Sequence, residues 1–557
     1  MDENTFKILP LSSKYSIAMK KSLPLLVLVF ILISLESCEQ NDFFTLTNPP
    51  ENPWLNVGEF ERAAVSPYNY AFCVDWGGGY FMQSRVVFDV MTDVLYRIPG
   101  ASANWPIDVV YNRQTQVEAD RVVNTFKEAY QAIGICNAAL DFYYEKKENP
   151  YPNASRDDVE KNLKRIVGEL HFMRAFSYYH LLLMFAPAPA DPDFKSKEVL
   201  PYRVSFANAE QASKPVYATA DTLYNVVLND LLKAKKLLPD KYASGMHPSY
   251  QYGRANKFAA RAMLARVYFR LGEFNKALAE LDTIIDQNNG EYSLNEIPIE
   301  AFRHDNPQRG KEVIWYALYY DVQKGAIPKE ATLFTYLDYR ATNGGHGPYH
   351  RRSTWHTFSM SNDAAKRIGW MDSENHITDN ALTDLRYKQL YWRLEGNCGT
   401  PGCGDPEYYE MQYTQVKEPH IWGDKYFRGT DGRFTNVPVI RLAEMYLTRA
   451  ILRYRQGNLT GAANDLNVVR KRAWDVAATG IPFEDSDAFM TAATITEEAI
   501  HLERIKELAF EGDWLIYCEN LALPVLPGER PGTEVVQPPY NGLYWVVPQE
   551  ELDFRSN

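Results

Sequence analysis

Two glycine-rich stretches of the chain, residues 75–113 and 335–358, combine flat aromatic rings with short polar side chains. A sugar ring has apolar C–H faces and polar edges, so a saccharide site needs exposed aromatic platforms beside hydrogen-bonding groups. Binding residues concentrate in loops that a rigid scaffold carries. The residues that we predict to contact a ligand are Asp93, Asn104, Trp105, Tyr339, Arg340 and Trp355.

Trp105 is the strongest of these candidates. Asn104 and Pro106 impose a non-helical backbone around it, which favours exposure of the indole ring. Asp93 is also consistent with an ordinary surface carboxylate on a helix. Arg340 can clamp a carboxylate through its two-pronged donors, or it can hold a loop through backbone carbonyls. Each aromatic residue has a second interpretation as a pin that holds its loop on the core.

The N-terminal region has the pattern of an export signal. An apolar run from Leu23 to Leu35 follows Met19, Lys20 and Lys21, and it is shorter than the roughly 20 apolar residues of a membrane-spanning helix. The next residues complete the tetrapeptide LESC, which resembles a bacterial lipobox whose cysteine becomes the lipidated N-terminus. We therefore predict a signal peptide at 1–37, read from the first methionine or from Met19, and lipidation of Cys38.

Composition excludes one class of partner. The 557 residues include 46% hydrophobic and 23% charged residues, as in ordinary globular proteins, and 13% aromatic residues, which is high. The net charge of -12 argues against a nucleic-acid partner, because phosphate contacts need a basic surface.

The cysteines fall into two groups beyond the lipidation candidate. Cys398 and Cys403 flank a Gly-Pro turn, so a local disulfide is expected in an exported protein. A metal half-site is the alternative, although no second pair with zinc spacing accompanies it. Cys73, Cys136 and Cys518 are widely spaced and are expected to be small buried hydrophobes.

Apolar residues at helical spacing predict a largely helical chain. The predicted helices are Asn162–Phe185, Asp221–Leu238, a pair within Arg254–Ile285 broken at Gly272, a pair within 441–473 broken at Gly457, and a late helix within 495–512. The best strand candidate is residues 310–320. Positions in the Arg254–Ile285 unit match the tetratricopeptide packing pattern at Leu264, Ala265, Tyr268, Gly272, Phe274, Ala277 and Leu281.

Several segments, in this order, resemble the SusD/RagB family of surface nutrient-binding lipoproteins. They are GELHFMRAFSYYHLLLMFAPAP, ARVYFRLGEFNKALAELDTII, VPVIRLAEMYLTRAILRYRQGNLTGAANDLNVVRKRA, LERIKELAFEGDWLIYCENLALP and NGLYWVVPQEEL. One departure is Asp513, where the family commonly has an arginine after the glycine. Similarity is poor in 41–111 and 303–426, so the ligand class stays open.

The resemblance implies a mostly α fold in which tetratricopeptide-like helical repeats, arranged as a SusD-like α/α superhelix, carry long irregular ligand-binding loops. In this interpretation the domain is 38–557, and its helical scaffold lies mainly in 120–285 and 437–520. The variable ligand-binding insertions then lie at about 41–115 and 300–430.

The resemblance also implies a function. Members bind glycans at the outer-membrane surface and deliver them to a SusC-like TonB-dependent barrel, without catalysis, cofactor or metal. The absence of G-x-S-x-G, H-E-x-x-H, Walker A and dinucleotide fingerprints is consistent with this expectation. Three alternatives stay open: a peptide cargo, a surface glycoside hydrolase whose paired carboxylates meet only in three dimensions, and a pure interaction scaffold.

Overall fold

The structure is a computed structural model, and it describes residues 54–73, 79–97, 107–302, 310–318, 320–321, 325–326, 358–394, 420–426 and 436–555. Internal contacts divide the chain into Met1–Leu55 and Asn56–Asn557, and every helix and strand below belongs to the second unit. The predicted signal peptide, the lipidation candidate Cys38, and the cysteine pair Cys398 and Cys403 lie outside the described residues.

Helices dominate the described residues, which confirms the predicted mostly α fold. The α-helices are α1 Val57–Phe72, α2 Gly79–Val90, α3 Ile107–Tyr111, α4 Asp120–Glu145, α5 Lys164–Phe185, α6 Ala209–Ser213, α7 Ala220–Leu237, α8 Pro248–Gly253, α9 Lys257–Arg270, α10 Phe274–Asp286, α11 Asn362–Arg367, α12 Asp379–Leu382, α13 Leu385–Leu390, α14 Leu442–Arg455, α15 Leu459–Ala473, α16 Val476–Thr479, α17 Glu497–Leu508, α18 Trp514–Leu521 and α19 Gln549–Arg555. A π-helical turn, Asp158–Leu163, leads into α5. Short 3-10 helices are Pro192–Phe194, Pro298–Ala301 and Phe483–Asp485.

The strands are short and pair antiparallel. They are β1 Leu95–Arg97, β2 Glu198–Pro201, β3 Tyr217–Thr219, β4 Val313–Ala317, β5 Tyr320–Asp321, β6 Gly325–Ala326, β7 Phe358–Met360, β8 Tyr391–Leu394, β9 His420–Gly423 and β10 Val437–Arg441. One sheet has the strand order β1-β7-β9-β8, and the others are the pairs β10-β4, β2-β3 and β5-β6. Strand β4 confirms the strand predicted within 310–320.

Helix α5 forms the centre of the scaffold. It packs against α1, α4 and α7, and every residue from Arg165 to Phe185 is buried. Its buried polar residues are paired: Arg165 with Glu169, and His171 and Arg174 with Asp230 of α7. At Gly168 an added Cβ would lie 3.0 Å from Leu237 and 3.2 Å from Leu238, so the glycine lets the end of α7 approach closely. Helices α5 and α7 therefore pack as a close pair.

The predicted repeat units have the predicted geometry. Helices α9 and α10 pack together across a turn at Gly272, whose φ of +73° favours glycine. Leu264, Tyr268 and Leu281 are buried in this unit. Helices α14 and α15 repeat the arrangement across Gly457, at φ +80°. The local sequence therefore determines both helical hairpins.

One expectation from the sequence is wrong. The stretch 75–113 was expected to be an irregular loop, but its segment Gly79–Val90 is helix α2, in which every residue is buried. Tyr80 is fully buried, and its hydroxyl shares a hydrogen bond of 2.9 Å with the Ser177 hydroxyl of α5. Three consecutive glycines, Gly77 to Gly79, lead into this short segment and indicate a loop, which explains why the helix was missed.

The prediction that three cysteines are buried is confirmed for two of them. Cys136 and Cys518 are buried as predicted, whereas Cys73 is half-buried. Among the described helices, none combines the length and the apolar character that crossing a membrane requires.

Candidate functional site

The two predicted ligand-binding stretches meet at one end of a strand pair. Strand β1 belongs to the first stretch and β7 begins at the end of the second, and their register places Arg97 opposite Phe358. The chain that leaves Arg97 leads to the Trp105 segment, and the chain that enters Phe358 comes from the Trp355 segment. Because β1 and β7 pair antiparallel, the chain leaves β1 beside the point where it enters β7.

Five of the six predicted contact residues lie outside the described residues, so their roles stay predictions. These are Asn104, Trp105, Tyr339, Arg340 and Trp355.

Asp93, the sixth predicted contact residue, is only 2% exposed and lies between α2 and β1. Its Oδ1 accepts a hydrogen bond from the indole Nε1 of Trp514 at 3.0 Å, and its Oδ2 lies 2.6 Å from Nη2 of Arg367. Both carboxylate oxygens thus hold other side chains in place. Within the described structure Asp93 is a positioning residue for Trp514 and Arg367.

Trp514 and Arg367 line a surface hollow of about 170 Å³. The indole ring is half-buried and stacks on Tyr517, with ring centroids 5.5 Å apart and an angle of 30°. The Arg367 guanidinium carbon lies 5.7 Å from the centroid of the same indole. Helix α17 contributes Leu502 and Ile505 to one wall.

The charged residues of this hollow are Arg367, which is paired with Asp93, and Glu498, which is exposed. His501 also lines it, but burial lowers the pKa of the imidazole to about 4, so this ring is neutral near pH 7. The hollow can accept an apolar face of a ligand beside one guanidinium and one carboxylate. The residue of this hollow that the sequence could have indicated is Trp514, which follows the departure at Asp513. Its hydrogen-bond partner Asp93 is 421 residues away in the chain, so no local pattern connects the two residues.

A cluster of carboxylates in the core bears on the hydrolase alternative. Glu312, Glu507 and Glu511 all contact the guanidinium of Arg441, at 3.2, 2.5 and 2.7 Å. Burial opposes ionisation of Glu511, but Arg441 and Lys425 outweigh it and hold the pKa of this carboxyl at about 2. A general acid needs a raised pKa, and the pKa of Glu511 is lowered. We therefore interpret this cluster of carboxylates around Arg441 as an ion-pair network of the core.

The carboxyl of Asp89 has the opposite shift. Burial raises its pKa to about 8, although the backbone N–H of Gly512 donates to its Oδ2 at 2.8 Å. The side chain is 2% exposed, so a substrate has no access to it in the described structure. The described residues also contain no group of His, Cys, Asp and Glu side chains that could hold a metal ion.

Comparisons with known proteins give a consistent result. A family model described as starch-binding associating with outer membrane matches residues 82–269, and a second model, described as SusD family, matches residues 311–515. SusD-like protein P2 of Formosa agariphila is 29% identical over 460 residues, which is 79% of this chain and 77% of that relative.

Solved structures share the fold. A SusD superfamily protein from Bacteroides thetaiotaomicron is similar with a TM-score of 0.67 at 20% identity, covering 90% of this chain and 98% of that one. A laminarin binding SusD-like protein has a TM-score of 0.60 at 17% identity, covering 89% and 97%. These similarities confirm the architecture of helical repeats.

Proposed function

The chain belongs to the SusD/RagB family, and from this premise we propose that it is a surface-exposed lipoprotein that binds glycans. It passes them to a SusC-like TonB-dependent outer-membrane transporter and carries out no catalysis itself. The observation that carries the proposal is the match of two family models to both halves of the scaffold, one of them described as starch-binding. The relative described as laminarin binding supports the same ligand class.

The proposed glycan site lies where the segments containing Trp105 and Trp355 leave the β1–β7 pair. The pairing of Arg97 with Phe358 supports it, because two aromatic-rich segments that start side by side can contribute to one surface. Tyr339, Arg340 and Asn104 complete the proposed contact set, and Asp93 positions Arg367 and Trp514.

Trp105→Ala is expected to weaken glycan binding about fivefold or more, since a stacking contact contributes on the order of 1 kcal/mol. A glycan array identifies the ligand, and isothermal titration calorimetry on both proteins measures the change. Tyr202→Ala is the matched control, because this aromatic residue is 38% exposed and lies outside both stretches. Equal affinity of the folded Trp105→Ala variant and the wild type would move the site away from this segment.

The same samples separate the alternatives. Chromatography of the glycan after prolonged incubation should recover it unchanged, and shorter products would establish a hydrolase. Preferential binding of peptides over every glycan on the array would establish the peptide-binding alternative.

Cys38→Ala is expected to release the protein from the membrane fraction, because the proposed acyl chains are its anchor. Fractionation of cells that express each form, followed by immunoblotting, measures the distribution. The comparison is made in cells that lack the proposed barrel partner, so that retention by that partner does not mask the release. Unchanged membrane association of Cys38→Ala in those cells would contradict a lipid anchor at this residue.

A further inference from the structure

A second cleft, with a volume of about 480 Å³, is lined by residues between Asn380 and Lys506, none of which belongs to the predicted ligand-binding stretches. Helices α13 and α17 and the segment that follows α15 contribute its walls. An isolated bridge pairs Asp384 with Trp474, and the backbone N–H of Asp475 donates to the carbonyl of Thr383 at 3.1 Å. The volume of the cleft is within the usual range of small-molecule pockets, roughly 300–1,000 Å³.

An indole ring held in a defined orientation lines this cleft. Trp474 is half-buried, its Nε1 donates to the carbonyl of Ile481 at 2.8 Å, and its ring meets Phe483 edge to face at 6.4 Å. Ile481 also lines the cleft and is 45% exposed. The cleft therefore presents apolar surface whose position is already set.

Hydrogen-bonding groups without partners lie beside this apolar surface. The ammonium group of Lys506 lines the cleft and makes no hydrogen bond or ion pair with the described residues. Asp485 and Asp487 line it too, and their carboxylates likewise have no partner in the part of the chain that the structure describes. Burial lowers the pKa of the Lys506 side chain, and the charges of Glu503 and Asp384 oppose this shift.

The other charged groups of the cleft are already paired. Arg386 lies 2.8 Å from Asp384 and 2.6 Å from Glu503, and Arg470 lies 2.8 Å from the same glutamate. The lining holds four carboxylates (Asp384, Asp485, Asp487 and Glu503) and three cations (Arg386, Arg470 and Lys506), so neither sign dominates. Such a balance does not select a strongly charged ligand.

We propose that this cleft is a second saccharide-binding site, separate from the one at Trp105. A sugar hydroxyl can donate to the carboxylate of Asp485 or Asp487 and accept from the ammonium of Lys506, and the apolar face of the same ring can pack against Trp474. Unpartnered donors and acceptors beside an aromatic ring fit a polyhydroxylated ligand. The inference rests on the proposed glycan-binding function and adds a second point of contact with the glycan.

Saturation-transfer NMR titrations test the proposal with methyl glycosides of glucose, galactose, mannose and glucuronic acid as probes. Trp105→Ala weakens the first proposed site, so the saccharide affinity that this variant retains is the reference against which the second site is tested. Adding Trp474→Ala to this background should weaken the remaining binding about fivefold or more. Adding Lys506→Met should also weaken it, while Lys236→Met, at an exposed lysine of helix α7, should not.

The outcomes distinguish the two proposals. Loss of all saccharide signal in Trp105→Ala alone would overturn the second site and leave the proposed function in place. An affinity of the Trp105→Ala, Trp474→Ala double variant equal to that of Trp105→Ala alone would also overturn it. Absence of signal from every probe in the wild-type protein would count against glycan binding itself, and so against both proposals.

Discussion

Replacement of Arg441 by methionine should lower the free energy of unfolding by about 3–5 kcal/mol. The guanidinium is 2% exposed and lies within 3.2 Å of carboxylate oxygens of Glu312, Glu507 and Glu511. It also donates to the backbone carbonyl of Glu507 at 2.7 Å. Methionine retains the apolar stem but leaves buried carboxylates with too little positive charge, and that uncompensated charge is the source of the loss.

Urea denaturation of the purified mature protein measures this change. The matched control is Lys161→Met, since Lys161 and its partner Asp157 are 73% and 70% exposed, and an exposed pair contributes about 0–1 kcal/mol. Adding Glu511→Gln to Arg441→Met should recover part of the loss by removing one unpaired charge. A loss below about 1 kcal/mol for Arg441→Met would show that the remaining cations of the network suffice.

His180→Phe should remove a large part of the acid sensitivity of the fold. Burial, together with the charges of Arg266 and Arg85, lowers the pKa of this imidazole from 6.5 to about 3. The unfolded chain takes up a proton near pH 6.5 that the folded protein binds only near pH 3, so stability present above pH 6.5 is lost as the pH falls. Between about pH 7.5 and about pH 4.5 this loss is on the order of 3 kcal/mol.

The hydrogen bonding around His180 explains why it stays neutral. Ser84 Oγ lies 2.9 Å from the carbonyl oxygen of Phe81 and 3.0 Å from Nδ1 of His180, so the hydroxyl can bond one ring nitrogen of the imidazole. The charged imidazole carries a proton on both ring nitrogens, and Nε2 is buried without a hydrogen-bond partner among the described residues. Phenylalanine fits the surroundings, because the Phe176 and Phe81 rings lie 4.5 and 5.3 Å from the imidazole centroid.

Urea denaturation across that pH range, on the wild type and on His180→Phe, measures the difference. His376→Gln is the control, because the His376 side chain is 68% exposed and its replacement should leave the pH profile nearly unchanged. Parallel profiles for the wild type and His180→Phe would show that His180 does not set the acid sensitivity. Below about pH 4.5 the paired carboxylates add their own loss, so the comparison stops there.

Local features of the sequence determined most of the scaffold. The hairpin of α9 and α10 follows from apolar residues at helical spacing and from Gly272, which adopts a backbone conformation that other residues disfavour. Helices α5 and α7 were likewise predicted from apolar residues at helical spacing, and strand β4 was predicted from its own short segment. Each of these elements is determined by the residues of one short segment, so it can be recognised without knowledge of the rest of the chain.

Helix α2 shows where this reasoning fails. Helix α5 is also buried on every face, but its 22 residues are long enough to be recognised as a helix, whereas the 12 residues of α2 follow a run of glycines that indicates a loop. Its aromatic residues, among them Tyr80, look like exposed platforms in the sequence, yet α5 and neighbouring elements cover them.

The sequence by itself determined the helical repeats, the candidate aromatic residues and the family resemblance. Only the tertiary structure decided that Asp93 holds Trp514, that β1 pairs with β7, and that the cluster around Arg441 draws carboxylates from several segments. The physical reason is the range of the interactions. Helix periodicity and turn conformation act between residues a few positions apart, whereas hydrogen bonds, ion pairs and clefts depend on distances in space that no local pattern records.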